Sequence, residues 1–180
     1  SYQAVSGAGQ AGFDELHGQV RNQLDGKEVK AQAFAHPIAF NCIPEIGSFN
    51  DSGYTSEEVK IMNETRKIMR APEMYVSAFT VRVPVSNSHA EAVWVTLSKE
   101  VSREELIAAM KDFEGLVVES DSRQYSTQRE VSGRDPVYVG RIHQDLNDKK
   151  TWLMWVVSDN VRKGAALNGI QIAEKLYATK

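Results

Sequence analysis

The chain of 180 residues has a single cysteine, Cys42, so it can form neither an internal disulfide nor a cysteine-built zinc site. A lone thiol suits a reducing compartment, and a cytoplasmic location is the expectation. An excess of basic charge is lacking too. With 21 Lys and Arg against 24 Asp and Glu, the net charge is -3, and no basic field calls for nucleic acid or an anionic membrane. No apolar run approaches the roughly 18 residues of a membrane-spanning helix, and no basic-plus-apolar leader opens the sequence. Gly7, Gly9 and Gly12 match G-x-G-x-x-G in spacing alone. No apolar strand precedes them, and no βαβ unit with a suitably placed acidic residue follows, so a dinucleotide-binding start is rejected. P-loop, HExxH and GxSxG motifs are absent, as are internal repeats, low-complexity tracts and linkers; no metal site is expected.

What remains is the make-up of a globular domain: 42% hydrophobic and 25% charged residues, with 12 Gly and 5 Pro. The glycines at 7, 9 and 12 read as a strand-to-helix turn, either helix-start punctuation or a ligand-facing loop. Phe13, Leu16, Val20 and Leu24 then fall at helical spacing. Residues 30–54, with Pro37, Pro44 and Gly47, read as a structured loop. Thr55 and Glu58 stand at capping-box spacing, as do Ser102 and Glu105, predicting helices over 56–69 and from 102. Residues 75–85 alternate as a strand, with Tyr75, Phe79, Val81 and Val83 expected inward and Thr80 and Arg82 on the opposite side. A hairpin to a second strand at 89–98 is expected. Further strands are read at 115–120, 137–142 and 151–157, a long loop over 120–136, and a last helix from Asn160 to Ala178 capped by Ser158 or Asp159. Strands and helices do not alternate regularly, so the fold class is α+β: a mixed, largely antiparallel sheet with helices on one face. A second copy of the subunit is the simplest cover for the other face.

Few residues stand out for chemistry. Arg82, in "VRVPVSNSH", carries a permanent charge on a valine-rich strand and is either a structural charge or a carboxylate or phosphate fork. His89, beyond the turn, is either structural or an acid/base. Glu57, Glu58 and Lys60 occupy the first turn of a helix, where carboxylates suit the helix dipole. Cys42 lies among apolar residues with no basic neighbour and is expected to be packed, not nucleophilic.

Taken together, "SYQAVSGAG", "AFNCIPEIGSFNDSGYTSEEVKIMNETRKI", "VRVPVSNSHAEAV", "VYVGRI" and "VVSDNVRKGAALNGIQIAEKL" resemble aspartate-semialdehyde dehydrogenase, in the right order over almost the whole chain. The resemblance implies the fold of a glyceraldehyde-3-phosphate dehydrogenase-like C-terminal domain. It further implies a catalytic and dimerisation part over 1–159, and a helix over 160–180 that packs towards a nucleotide-binding domain. It implies an enzyme of amino-acid biosynthesis that interconverts L-aspartate 4-semialdehyde and 4-phospho-L-aspartate, with NADP and phosphate, through a cysteine thioester, and that works as a homodimer. Gln3 would orient the substrate, Arg82 clamp its carboxylate, Glu57 hold its ammonium and Lys60 bind phosphate. His89 would be the acid/base, while Ser6, Gly7 and Asn160 would meet the cofactor. In the family the nucleophilic cysteine precedes the segment matching Gln3, and this chain begins after that point. Cys42 does not inherit the role, and the chain alone is expected to be inactive. An N-acetyl-glutamyl-phosphate reductase-like enzyme and a non-catalytic dimerisation module are the alternatives.

Overall fold

Both capping boxes read in the sequence close in the structure, a computed structural model that describes residues 1–178. At the first, Glu58 Oε2 accepts from Thr55 N at 2.8 Å and Thr55 Oγ1 accepts from Glu58 N at 3.3 Å. Each residue thereby satisfies a donor that the helix start would leave open. The chain packs as two units, Ser1–Ser86 and Asn87–Lys180.

In the first unit, β1 (Tyr2–Gln3) leads through a 3₁₀ turn (Val5–Ala8) into α1 (Gly9–Leu24). Gly9, at φ 72°, makes the junction, and the helix begins four residues earlier than its apolar spacing suggests. Gly12 explains how α1 sits so close to the turn. A Cβ there would lie 2.8 Å from Val5 O and 2.9 Å from the Phe34 ring, which no side chain tolerates. Val5, Leu16, Ile38 and Ile43 form the core of this unit, with Val20 and Phe34 against it. Gln19, buried, ties the irregular segment after α1 to the helix. Its Oε1 accepts from Ile38 N at 2.8 Å and Ala39 N at 3.1 Å, and its Nε2 donates to Lys30 O at 2.9 Å. α2 (Ser56–Ile68) follows, and β2 (Val81–Arg82) runs parallel to β1 with Gln3 opposite Arg82.

The 75–85 segment departs from expectation in length and in facing. Only Val81–Arg82 is strand, and Thr80 and Arg82 are buried while Tyr75 and Phe79 are exposed. The inversion has a cause that alternation cannot report. Thr80 N donates to the buried Glu58 carboxylate at 2.9 Å, and Arg82 exchanges backbone hydrogen bonds with Ile43. Those partners draw Thr80 and Arg82 inward, while of the bulkier set Tyr75 and Phe79 face out and Val83 is buried as expected. Cys42 is corrected by the same pairing: Ile43 is buried beside Arg82, so its neighbour Cys42 faces out and is exposed.

The second unit holds a four-stranded sheet in the order β3–β6–β5–β4, formed by β3 (His89–Thr96), β4 (Leu116–Val118), β5 (Val137–Gln144) and β6 (Thr151–Ser158). β6 is antiparallel to both β3 and β5, and β4 runs parallel to β5, so this sheet is mixed and largely antiparallel. The expected hairpin gives way to these pairings, since β3 finds its antiparallel partner in β6 and β2 pairs with β1. α3 (Arg103–Lys111) covers one sheet face, with Ile107 packed among Val139, Ile142 and Trp152. The stretch expected as loop over 120–136 contains one helical turn, α4 (Gln128–Val131), where Glu130 accepts from Thr127 N and Oγ1. Val131 packs with Ala90 and Val157 on the face opposite α3. The last helix begins wider than expected. Gly164 N and Ala166 N reach back five residues to Asp159 O and Val161 O in a π turn (Arg162–Ala166) before α5 (Leu167–Tyr177). The final two residues of the expected 160–180 segment lie outside the described residues.

Candidate functional site

Four of the predicted residues come together in the first unit. The parallel register places Gln3 beside Arg82, and the start of α2 carries Glu57, whose carboxylate suits the helix dipole, with Lys60 three residues on. Gln3 Nε2 donates to Glu57 Oε1 at 2.9 Å, and Glu57 Oε2 pairs with Lys60 Nζ at 2.5 Å. The two adjacent glutamates therefore divide the labour. Glu58 caps the helix and takes the Thr80 N–H. Burial works to raise its pKa, but the hydrogen bonds from Thr55 and Thr80 prevail and hold it below the usual carboxylate range. Glu57 serves no cap and turns towards Gln3 and Lys60.

Arg82 is 6% exposed. Its Nη1 donates to Ala4 O at 2.7 Å, and its guanidinium carbon lies 5.7 Å from the Phe34 ring centroid. Burial lowers its pKa and the charge of Glu57 raises it again, the first effect being larger. The group stays a cation, and among the described residues no carboxylate forms a hydrogen-bonded ion pair with it. Burial shows that Arg82 is not a solvated surface charge, and the guanidinium's one hydrogen bond among the described residues, to Ala4 O, leaves most of the fork's donors for another acceptor. Together the cluster offers one cationic fork, one carboxylate and one flexible ammonium, a set that matches a small ligand bearing charges of both signs. Ser6 and Gly7 lie on the 3₁₀ turn directly after Gln3 and Ala4. Ser6 N donates to Ser86 O at 3.2 Å, and Gly7 is exposed.

His89 and Asn160 belong to the second unit. His89 opens β3 and is half-buried, opposite Ser158 of β6. The residue before it, Ser88, is fully buried in the left-handed region at φ 74°. Ser88 N donates to Asn160 Oδ1 at 3.0 Å, and Ser88 O accepts from Gln128 Nε2 at 2.7 Å. Asp159, next to Asn160, is 2% exposed and accepts four hydrogen bonds: from Val161 N at 2.8 Å, Arg162 N at 3.0 Å, Gly133 N at 2.7 Å and Asn87 Nδ2 at 2.8 Å. Burial pushes its pKa up, yet these N–H groups outweigh burial and hold it low. Asp159 thus fulfils the expected N-cap. The parts played by Ser88 and Gln128 escaped the sequence reading. The signal that could have found Gln128 was the Thr127–Glu130 capping-box spacing, which starts α4 just there.

Comparison with known proteins supplies the family. Aspartate-semialdehyde dehydrogenase 2 of Vibrio cholerae is 44% identical over 176 residues, covering 98% of this chain and 52% of the relative. The Aquifex aeolicus aspartate-semialdehyde dehydrogenase is 45% identical over 179 residues, covering 98% and 53%. Among solved structures, aspartate semialdehyde dehydrogenase II of Vibrio cholerae, complexed with ASA, superposes with a TM-score of 0.92 at 45% identity, over 98% of this chain and 53% of that one. The Candida albicans enzyme with NADP, at 22% identity and a TM-score of 0.62, shares the fold. The chain spans about half the length of the curated relatives it matches. Residues 1–163 match the semialdehyde dehydrogenase dimerisation domain, and the chain belongs to that family.

Proposed function

We propose that this chain is the substrate-binding and dimerisation part of an NADP-dependent aspartate-semialdehyde dehydrogenase. The enzyme would interconvert L-aspartate 4-semialdehyde and 4-phospho-L-aspartate by way of a cysteine thioester. The observation that carries this reading is the Gln3–Glu57–Lys60 chain of contacts beside the buried Arg82. The Arg82 fork binds the substrate α-carboxylate bidentately, in a setting where burial strengthens the charge interaction. Glu57 accepts from the substrate ammonium, and Lys60 is then released to meet phosphate. Gln3, held by Glu57, orients the reacting carbonyl. His89 moves the proton between the attacking thiol and the carbonyl oxygen. That thiol comes from outside this chain, and the 180 residues alone are inactive.

NADP would supply the hydride acceptor, and Ser6, Gly7 and Asn160 would be the residues of this chain that meet it. Gly7 suits a planar ring at this point because it presents bare backbone on an exposed turn. Ser6, on the same turn, provides a polar contact to the cofactor, Asn160 of the second unit is a further cofactor contact, and residues 160–178 pack towards the nucleotide-binding part. The protein works as a cytoplasmic homodimer. Trp94 supports that assembly, lying opposite Leu153 on the sheet face away from α3, 63% exposed. The product would serve lysine, threonine, methionine and diaminopimelate biosynthesis. An N-acetylated substrate has no ammonium, so a carboxylate placed as Glu57 is favours the free amino acid over the N-acetyl-glutamyl-phosphate reductase reaction.

The test is Glu57→Gln in the full-length protein. The KM for aspartate semialdehyde should rise about tenfold or more, as for loss of a charged hydrogen bond worth about 1.5–3 kcal/mol. An unchanged KM sinks the assignment.

A further inference from the structure

Ser88 combines three properties within one residue of His89. It is a non-glycine at φ 74°, it is wholly buried, and its Oγ has no hydrogen-bond partner among the described residues. A polar side chain that visits the left-handed region usually offsets the steric penalty with a local hydrogen bond. Here the side chain contributes none. What opposes the strain is the backbone: the Ser88 N–H is held by Asn160 Oδ1 and the Ser88 C=O by Gln128 Nε2, 3.0 and 2.7 Å away. Such strain persists only where the surroundings over-determine it, and it is informative when it falls beside a reacting group.

The two clamping residues are themselves anchored. Asn160 follows Asp159, whose carboxylate takes the Val161, Arg162, Gly133 and Asn87 donors. Gln128 is the first residue of α4, a single turn too short to hold itself in place. Val131 pins that turn into the cluster with Ala90 and Val157, and Trp155 Nε1 donates to Ser126 O just ahead of it at 3.0 Å. Ala90 and Val157 are the register pair next to His89 and Ser158. The two peptide groups that flank the Ser88 Cα are therefore fixed to the same piece of sheet from which His89 springs.

We propose that Gln128 and Asn160 are positioning residues that hold the strained Ser88 backbone and thereby aim the His89 imidazole. The proposal rests on the reading of His89 as the acid/base. Asn160 gives its carboxamide oxygen to this task, so a cofactor contact at that residue falls to its other atoms. Gln128 is not among the residues assigned above to substrate or cofactor, so it is the position at which to test the clamp.

The experiment compares wild type, Gln128→Leu, Ser88→Gly and the Gln128→Leu/Ser88→Gly double variant in the full-length protein. Gln128→Leu should lower kcat about tenfold or more, as for a misplaced catalytic group, while KM for aspartate semialdehyde changes less than about twofold. Glycine occupies the left-handed region at little cost, so Ser88→Gly should recover much of the kcat lost by Gln128→Leu. A purely structural role for Gln128 would change the melting temperature without this recovery. His89→Asn separates the two ideas. If His89→Asn is inactive while Gln128→Leu keeps wild-type kcat, the clamp is refuted and the acid/base reading stands. If His89→Asn is as active as wild type, the acid/base reading falls and the clamp's catalytic meaning falls with it. Should Gln128→Leu not fold, Gln128→Glu replaces it. A protonated carboxyl can donate to Ser88 O and an ionised one cannot, so kcat relative to wild type should decline as pH rises past about 4.3. A flat ratio overturns the proposal.

Discussion

In Ser1–Ser86 the candidate residues touch one another, Gln3 to Glu57 and Glu57 to Lys60, whereas in Asn87–Lys180 the candidate histidine is approached through its neighbour's backbone. The first arrangement is a set of charges that a ligand would rearrange. The second is built from neutral amides and backbone groups around one fully engaged carboxylate, Asp159, and holds the Ser88 backbone at both its N–H and its C=O. Binding groups need to exchange partners when substrate arrives. A proton-transferring group needs a fixed direction, and a neighbouring backbone held at both of its polar groups supplies that.

The sharpest way to break this contrast is at Asp159. Replacing it with Ala leaves four N–H donors without their acceptor in a buried place, and should destabilise the protein by about 3 kcal/mol or more, read by denaturant unfolding. The pH dependence has a definite sign. The folded-state pKa is lowered, so the stabilisation is fully present above the unfolded value of about 3.9 and is lost as pH falls through the lower folded value. The gap between wild type and Asp159→Ala should hold constant above about pH 5 and narrow in acid. A gap that widens in acid contradicts the assignment.

The two neighbouring glutamates offer the same comparison at smaller scale. Glu58→Gln removes one of two acceptor oxygens that serve Thr55 N and Thr80 N, and should cost about 1–2 kcal/mol of stability. Glu57→Gln should leave stability within about 0.5 kcal/mol, since its partner Lys60 is half exposed and surface pairs contribute little. Equal losses for both would remove the distinction between cap and site. The smallest effect is expected at Cys42. As an exposed residue it should tolerate Ser with a change within about 0.5 kcal/mol in thermal unfolding.

How much of this could be seen in the sequence depended on how local the cause was. Thr55–Glu58 and Ser102–Glu105 announce their helices within four residues, and the strands read at 137–142 and 151–157 form and run on to Gln144 and Ser158. Glu57 and Lys60 share one helix turn, but Gln3 and Arg82 could be grouped with them only through the resemblance to a family, because the contacts that bring those two in span more than fifty residues. Where the partner was distant and unannounced, pattern misled. Thr80 and Arg82 were assigned outward because alternation weighs side-chain size, while their real environment is a carboxylate and a backbone from elsewhere in the unit. The Ser88 clamp joins residues 40 and 72 apart, and no single stretch of sequence carries it.

Gln19 carries a consequence for sequence variation. One amide side chain meets the segment after α1 at Lys30 and again at Ile38 and Ala39, donating at one end and accepting at the other. Information about the shape of a whole loop is thereby concentrated in a helix position outside it. Residues between the two tethers answer to further anchors, Phe34 against the core and Gln32 and Ala33 on the Glu15 carboxylate, and can vary only as far as those allow. The helix position cannot drift with them, since neither a carboxylate nor an aliphatic side chain both gives and receives.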